Sequence, residues 1–113
     1  MIIVIDDERI YPNLSKDVSY CRNSNEALGL LVPIWVNQYL GYQPTIDELW
    51  LDHDLGSNDD IRAVTSWLMY IAMLERPLLV KNIYVCSQNP VGVKLIFDSL
   101  RRHYKLVRKE LIA

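Results

Sequence analysis

Glycine and proline are scarce, four and five residues in a chain of 113, and there is no repeat, linker or low-complexity tract. Collagen-like and disordered classes are thereby excluded. Long apolar runs are missing too. The N-terminal run Met1–Ile5 meets Asp6, Asp7 and Glu8 at once, so neither a signal peptide nor a membrane span is expected. There is no excess of positive charge: a formal charge of -2 and a pI near 5.6 leave no electrostatic footprint for duplex DNA. The only two cysteines, Cys21 and Cys86, fit no metal-ligand spacing. They read as buried reduced thiols in two strands, and a cytoplasmic location is the expectation that follows.

What is present is a globular composition, half apolar, in a chain of the length expected for a single domain over 1–113. Its organising stretch is ELWLDHDLG, residues 48–56. A mostly apolar run leads straight into Asp52, His53 and Asp54 and stops at Gly56, the pattern of a short buried strand with an acidic tip. Met1–Ile5 ends in the same way, running into Asp6 and Asp7. Two strands thus carry carboxylates to one edge.

Along the chain, strands alternate with helices. Met1–Ile5 is a β-branched run suited to a central parallel strand, residues 6–18 are expected as loop, and Val18–Arg22 as a short strand. Asn23 and Ser24 with Glu26 open a helix through Ala27, Leu28, Leu31, Trp35 and Tyr39, which Pro33 should kink or split and 41–45 should end. After the strand at 48–51, 57–60 is a polar helix start. The next helix carries Ile61, Val64, Trp67, Leu68, Ile71 and Leu74 inward until Pro77. Asn82–Ser87 is a further strand. Pro90 stands where a helix opens, and that helix, roughly Val91–His103, should turn Leu95, Ile96 and Leu100 inward. Tyr104–Val107 is a last strand, with the charged end after it either extending it or fraying. This order implies right-handed crossovers and a doubly wound, mostly parallel α/β sheet of about five strands in a three-layer sandwich.

In such a sheet three strand ends converge at the topological switch point, bringing together Asp6 and Asp7, Asp52 and Asp54, and Ser87 with Asn89. Carboxylates so close raise one another's pKa unless a cation joins them, and an all-oxygen set suits Mg²⁺ or Mn²⁺. Asp6, Asp7 and Asp52 are therefore the expected metal ligands. Ser87, Asn89 and the backbone donors at Val91 and Gly92 favour an anion, so a phosphate between metal and helix is the natural occupant. Arg9 either clamps that phosphate or neutralises its acidic neighbours. Asp54 either joins the site or caps the following turn. His53 alternates with Asp52, so it serves as a base or proton shuttle only if the strand has ended by then. Asp59 and Asp60 read first as helix-start acids. Trp35, Trp50 and Trp67 read as core, and Lys94, Arg101, Arg102 and His103 as a solvated face.

Taken together, DDER at the first strand end, LDHDLG at the third and S-x-NPVG at the fourth (Ser87, Asn89, Pro90, Val91, Gly92) resemble the cyclic-phosphate-processing receiver-like domain, a relative of the response-regulator receiver. The resemblance covers nearly the whole chain. It implies a receiver- or flavodoxin-like fold, with Asp6 and Asp7 as the metal-binding acidic pair, Asp52 as counterpart of the phosphoacceptor and Ser87 as the fourth-strand hydroxyl. It also implies action on a cyclic or terminal phosphate of RNA or a nucleotide, and with the residues read above the expectation is a metal-dependent phosphoesterase with Asp52, His53 and Asp54 as catalytic residues and Arg9, Ser87, Asn89 and Gly92 on the phosphate. The alternatives are a non-catalytic phosphate- or nucleotide-binding module and a phosphoacceptor receiver. Two positions depart from the pattern. The Lys-Pro step of ordinary receivers is missing from YKLVRKELIA, where Lys105, Arg108 and Lys109 are the candidates for that lysine, and Cys86 stands where such domains commonly carry His.

Overall fold

The computed structural model describes residues 1–11, 14, 17–56 and 58–109. Among them five strands, β1 (Ile2–Ile5), β2 (Val18–Cys21), β3 (Ile46–Leu51), β4 (Val80–Val85) and β5 (Leu106–Arg108), alternate with three helices, α1 (Ser24–Tyr39), α2 (Arg62–Met73) and α3 (Pro90–Leu100). All strand pairs are parallel, in the order β2-β1-β3-β4-β5. This is the receiver- or flavodoxin-like α/β sheet expected from the alternation. No described helix is long and apolar enough to cross a membrane.

The order dictates which face each connection covers. From β2 to β3, β3 to β4 and β4 to β5 the chain steps in one direction across the sheet, so right-handed crossovers put α1, α2 and α3 on the same face. There Ile3, Ile5, Leu49, Leu51, Ile83 and Val85 meet Ala27, Leu31, Val64, Leu68, Ile96 and Leu100 in one core. Truncating a residue such as Leu51, fully buried in that core, costs about 2–5 kcal/mol. The step from β1 to β2 runs the other way and lies over the second face. Its described residues form no helix; instead Tyr11 lies on Trp50 and Trp50 on Tyr84, centroids 5.2 and 4.9 Å apart.

Helix α1 passes through Pro33 unbroken. One lost backbone bond is tolerated because Ala27 and Leu31 before the proline and Ile34 and Gln38 after it are all buried on one side. Its start is capped by Asn23, which accepts from the Glu26 N–H at 2.8 Å. Asp59 serves this helix rather than its own, holding the Ser24 N–H at 2.8 Å and hydroxyl at 2.6 Å. Asp60 pairs with Arg62 at the start of α2. Gln38 is a buried polar residue without a sequence signal, and its amide joins three backbone groups, donating to Pro44 and Leu79 and accepting from the Leu79 N–H.

Boundaries shift in instructive ways. β3 begins two residues before the apolar run and β4 ends at Val85, which leaves Cys86 and Ser87 beyond the strand. α3 ends at Leu100, and Leu95 is 48% exposed. The buried stripe is Gly92, Ile96, Leu100, an i, i+4, i+8 row that Leu95 does not share. Leu74, past the end of α2, is exposed for the same reason. The three tryptophans are half-buried. Trp35 and Trp67 meet edge to face at 5.9 Å beside the core, and Trp50 belongs to the second face. Cys21 and Cys86 are buried free thiols. Lys94, Arg101, Arg102 and His103 are exposed. The expectation for the charged end falls partly outside the described residues.

Candidate functional site

Strands β1 and β3 are neighbours, yet the chain leaves β1 toward β2 on one side and reaches β3 on the other. Ligands settle at such a divergence in open α/β sheets. Register completes the placement: Ile5 is paired with both Cys21 and Leu51, and Leu51 with Val85. The next residues, Asp6, Arg22, Asp52 and Cys86, therefore emerge side by side. One ligand oxygen each from Asp6, Asp7 and Asp52 lies within 4.8 Å of the others. An all-carboxylate set of this kind could hold a hard divalent cation such as Mg²⁺ or Mn²⁺.

Asp6 is 1% exposed and heavily used. Its Oδ1 accepts the N–H groups of Glu8 and Arg9 at 3.1 and 3.0 Å, fixing the turn out of β1. Its Oδ2 accepts the Tyr11 hydroxyl at 3.0 Å and Arg9 Nη1 at 3.3 Å. The same Nη1 donates to Asp52 Oδ2 at 3.2 Å. Arg9 thus bridges the two buried acids, so of its two expected roles the neutralising one is seen. Arg22, at the end of β2, donates to the carbonyls of Asp6 and Arg9 at 3.1 and 2.8 Å and pins the turn from behind.

Asp52 is pushed up to about 6 by its burial and by the charge of Asp6, against the Ser87 hydroxyl, Arg9 and the Asp54 N–H, which favour the ionised form. Ser87 Oγ also accepts the Asn89 N–H at 3.2 Å. Asp7, Glu8, Arg9, Asp52, Asp54, Gly56, Ser87 and Gln88 line a cleft of about 300 Å³. Four carboxylates face one guanidinium there, so the cleft's own charges repel an anion.

The lining includes neither His53 nor Asn89 nor Gly92. β3 has ended at Leu51, which frees His53 from strand alternation, and its ring lies against Gly92 at the start of α3. Its Nδ1 lies 2.9 Å from Asp54 Oδ1. Its Nε2 is buried and has no hydrogen-bond partner among the described residues. The ring packs flush on α3: a Cβ on Gly92 would stand 2.4 Å from His53 Cγ. Gly92 is required here for close approach. Its N–H is taken by Asn89 Oδ1 at 3.1 Å as the helix cap, and Asn89 Nδ2 reaches Asp54 Oδ2 at 3.4 Å. Asp54, 64% exposed at its side chain, is thereby held between a histidine and a helix start. Gly56, at φ +92°, turns the chain past Asp7.

Tyr11 and Arg22 had no local signal, although the strand-end rule applied to β2 points at Arg22. Tyr11 also reaches Cys86 Sγ at 3.6 Å. Burial, and next the Cys86 sulfur, raise the Tyr11 phenol well above its usual range, so it stays a donor. Burial likewise raises the Cys86 thiol, which keeps it unreactive. Of the basic residues near β5, Arg108 comes closest to the fourth-strand end. Its guanidinium is spent on the carbonyls of Val85, Ser87 and Lys109. Lys109 lies over the Tyr84 ring.

A family model described as the cyclic-phosphate processing receiver domain matches residues 1–102. No curated protein and no solved structure matches the chain.

Proposed function

The chain belongs to the cyclic-phosphate processing receiver domain family, and from that premise we propose that it is a metal-dependent phosphoesterase acting on a cyclic or terminal phosphate of a nucleotide or RNA end. The observation that carries this reading is the convergence of Asp6, Asp7 and Asp52 within 4.8 Å at a cleft that Asp7, Asp52 and Ser87 line. Asp6, Asp7 and Asp52 would hold Mg²⁺ or Mn²⁺. Once bound, such an ion polarises a phosphoryl oxygen and offsets the charge of the cleft. Asp54, the most exposed of the trio Asp52, His53 and Asp54, takes the proton of the attacking water. His53 acts as a positioning residue, since its Nδ1 fixes one Asp54 oxygen while Asn89 steadies the other. Ser87, which lines the cleft, holds a non-bridging oxygen.

A second reading, a module that binds the same ligand without turnover, is favoured by one feature: Arg9 already neutralises the two deepest carboxylates. A metal-dependent turnover assay on nucleoside and oligonucleotide 2′,3′-cyclic phosphates and terminal phosphates separates the two, with Asp52→Asn as control. Product formed with Mg²⁺ or Mn²⁺ and abolished in the variant is the expected result. Intact substrates that still bind in the cleft would leave the binding module.

A further inference from the structure

Arg9 stands where a cation is wanted. Its Nη1 lies 3.3 Å from Asp6 Oδ2 and 3.2 Å from Asp52 Oδ2, and those two carboxylates, with Asp7, are the ones whose oxygens converge within 4.8 Å. Asp6 and Asp52 are 1% and 6% exposed, so solvent does little to screen them. The Arg9 side chain is 32% exposed and lines the cleft, so it has open space into which to swing. Its backbone is anchored separately, through its N–H to Asp6 Oδ1 and its carbonyl to Arg22. The side chain can therefore leave without undoing the turn.

We propose that Arg9 is a built-in competitor for the divalent cation, displaced from between Asp6 and Asp52 when the ion binds and turned into the cleft as a clamp for the phosphate that follows. The inference rests on the metal-dependent reading above and adds an order of events to it. A guanidinium nitrogen seated between the two carboxylates and a dication drawn to the same pair repel each other and compete for one place. Before the exchange the cleft presents four carboxylates against one engaged guanidinium, and a phosphate is repelled. Afterwards the ion holds the deep acids, and the freed Arg9 offers a planar pair of donors that matches a phosphate. Cation first and anion second is the sequence that charge allows.

Calorimetric titration of Mg²⁺ into the wild-type protein and Arg9→Gln, followed by inorganic phosphate, tests this. Removing the competitor should tighten Mg²⁺ binding by roughly 5- to 150-fold, the range of a single coupling between two sites, while weakening phosphate binding to the Mg²⁺-loaded protein. Wild-type protein without Mg²⁺ should take up no phosphate. In wild-type protein the Arg9 Nε–H NMR resonance should shift as Mg²⁺ is added, a readout that needs no variant. Equal or weaker Mg²⁺ binding by Arg9→Gln, or an unmoved Arg9 resonance at Mg²⁺ saturation, would overturn the exchange and leave the metal reading standing. If neither protein binds Mg²⁺, both fall.

Discussion

Asp52→Asn should make the metal-free protein more stable at neutral pH. Asp52 titrates near 6 instead of its ordinary 3.8, first because it is buried and second because Asp6 is ionised beside it. A carboxyl whose folded pKa is raised contributes its full stability below the unfolded value, and that stability is lost as pH rises through the folded one. The span from 3.8 to about 6, at about 1.36 kcal/mol per pH unit, makes roughly 3 kcal/mol lost at pH 8 relative to pH 3. Asparagine has no charge to lose. The variant should match the wild type at about pH 4 and exceed it by up to roughly 3 kcal/mol at about pH 8, a shift of one molar or more in urea midpoint. Taking the difference between the two proteins cancels the groups with the opposite slope, such as Asp60 and Asp98, whose ion pairs with Arg62 and Lys94 lower them. Urea titrations across this range, without divalent cations, give the measurement. A difference that stays flat with pH, or a wild type that is the more stable protein at pH 8, would refute the account of Asp52. Saturating Mg²⁺ should shrink or reverse the gap, because an ion bound by Asp6, Asp7 and Asp52 stabilises only the ionised form.

Three further substitutions probe the frame around the site. Gly92→Ala would gain helix propensity of up to about 1 kcal/mol, but its Cβ meets His53 Cγ at 2.4 Å. Overpacking of this kind costs about 1–3 kcal/mol, so a net loss in chemical denaturation is expected, and a stabilised variant would show that the ring moves aside freely. Asp59→Ala removes the acceptor of both the Ser24 N–H and its hydroxyl; a loss of about 1–2 kcal/mol is expected, read as a lower thermal midpoint, and an unchanged one would mean that Asn23 alone secures the start of α1. Tyr104→Phe strips the hydroxyl that donates to the Leu68 carbonyl at 2.8 Å and accepts the Leu78 N–H at 3.2 Å. Leaving the buried Leu78 N–H unpaired costs about 1–3 kcal/mol, with faster exchange of the Leu78 amide as the local sign; protection equal to wild type would count against it.

Patterns that depend on near neighbours were legible in the chain. The β-branched run 2–5, the Asn23 and Asn89 caps, Pro90 at the first helical turn and the strand–helix alternation report local geometry, and alternation limits the sheet to a few topologies. Hence the fold and the strand-end positions of Asp6, Asp52 and Ser87 could be read in advance. Ends were less legible, since Cys86 and Ser87 continue an apolar-to-polar pattern although the ladder stops at Val85. Side-chain direction past a strand end was illegible. His53 was tied to Asp52 by alternation only as long as the strand lasted, and its partnership with Asp54 and Gly92 depends on where α3 is docked.

Sequence by itself determined that two acidic tips would share one edge of a parallel sheet, because periodicity and crossover handedness leave few other arrangements. Tertiary structure alone decided what surrounds them. Arg9 reaches across to Asp52, 43 residues away, Tyr11 to Cys86, 75 away, and Asp59 caps a helix 35 residues earlier. Such contacts have no period and no spacing. They arise because separate strand ends are brought into register, and buried polar groups must then find partners among whatever the packing has placed within reach.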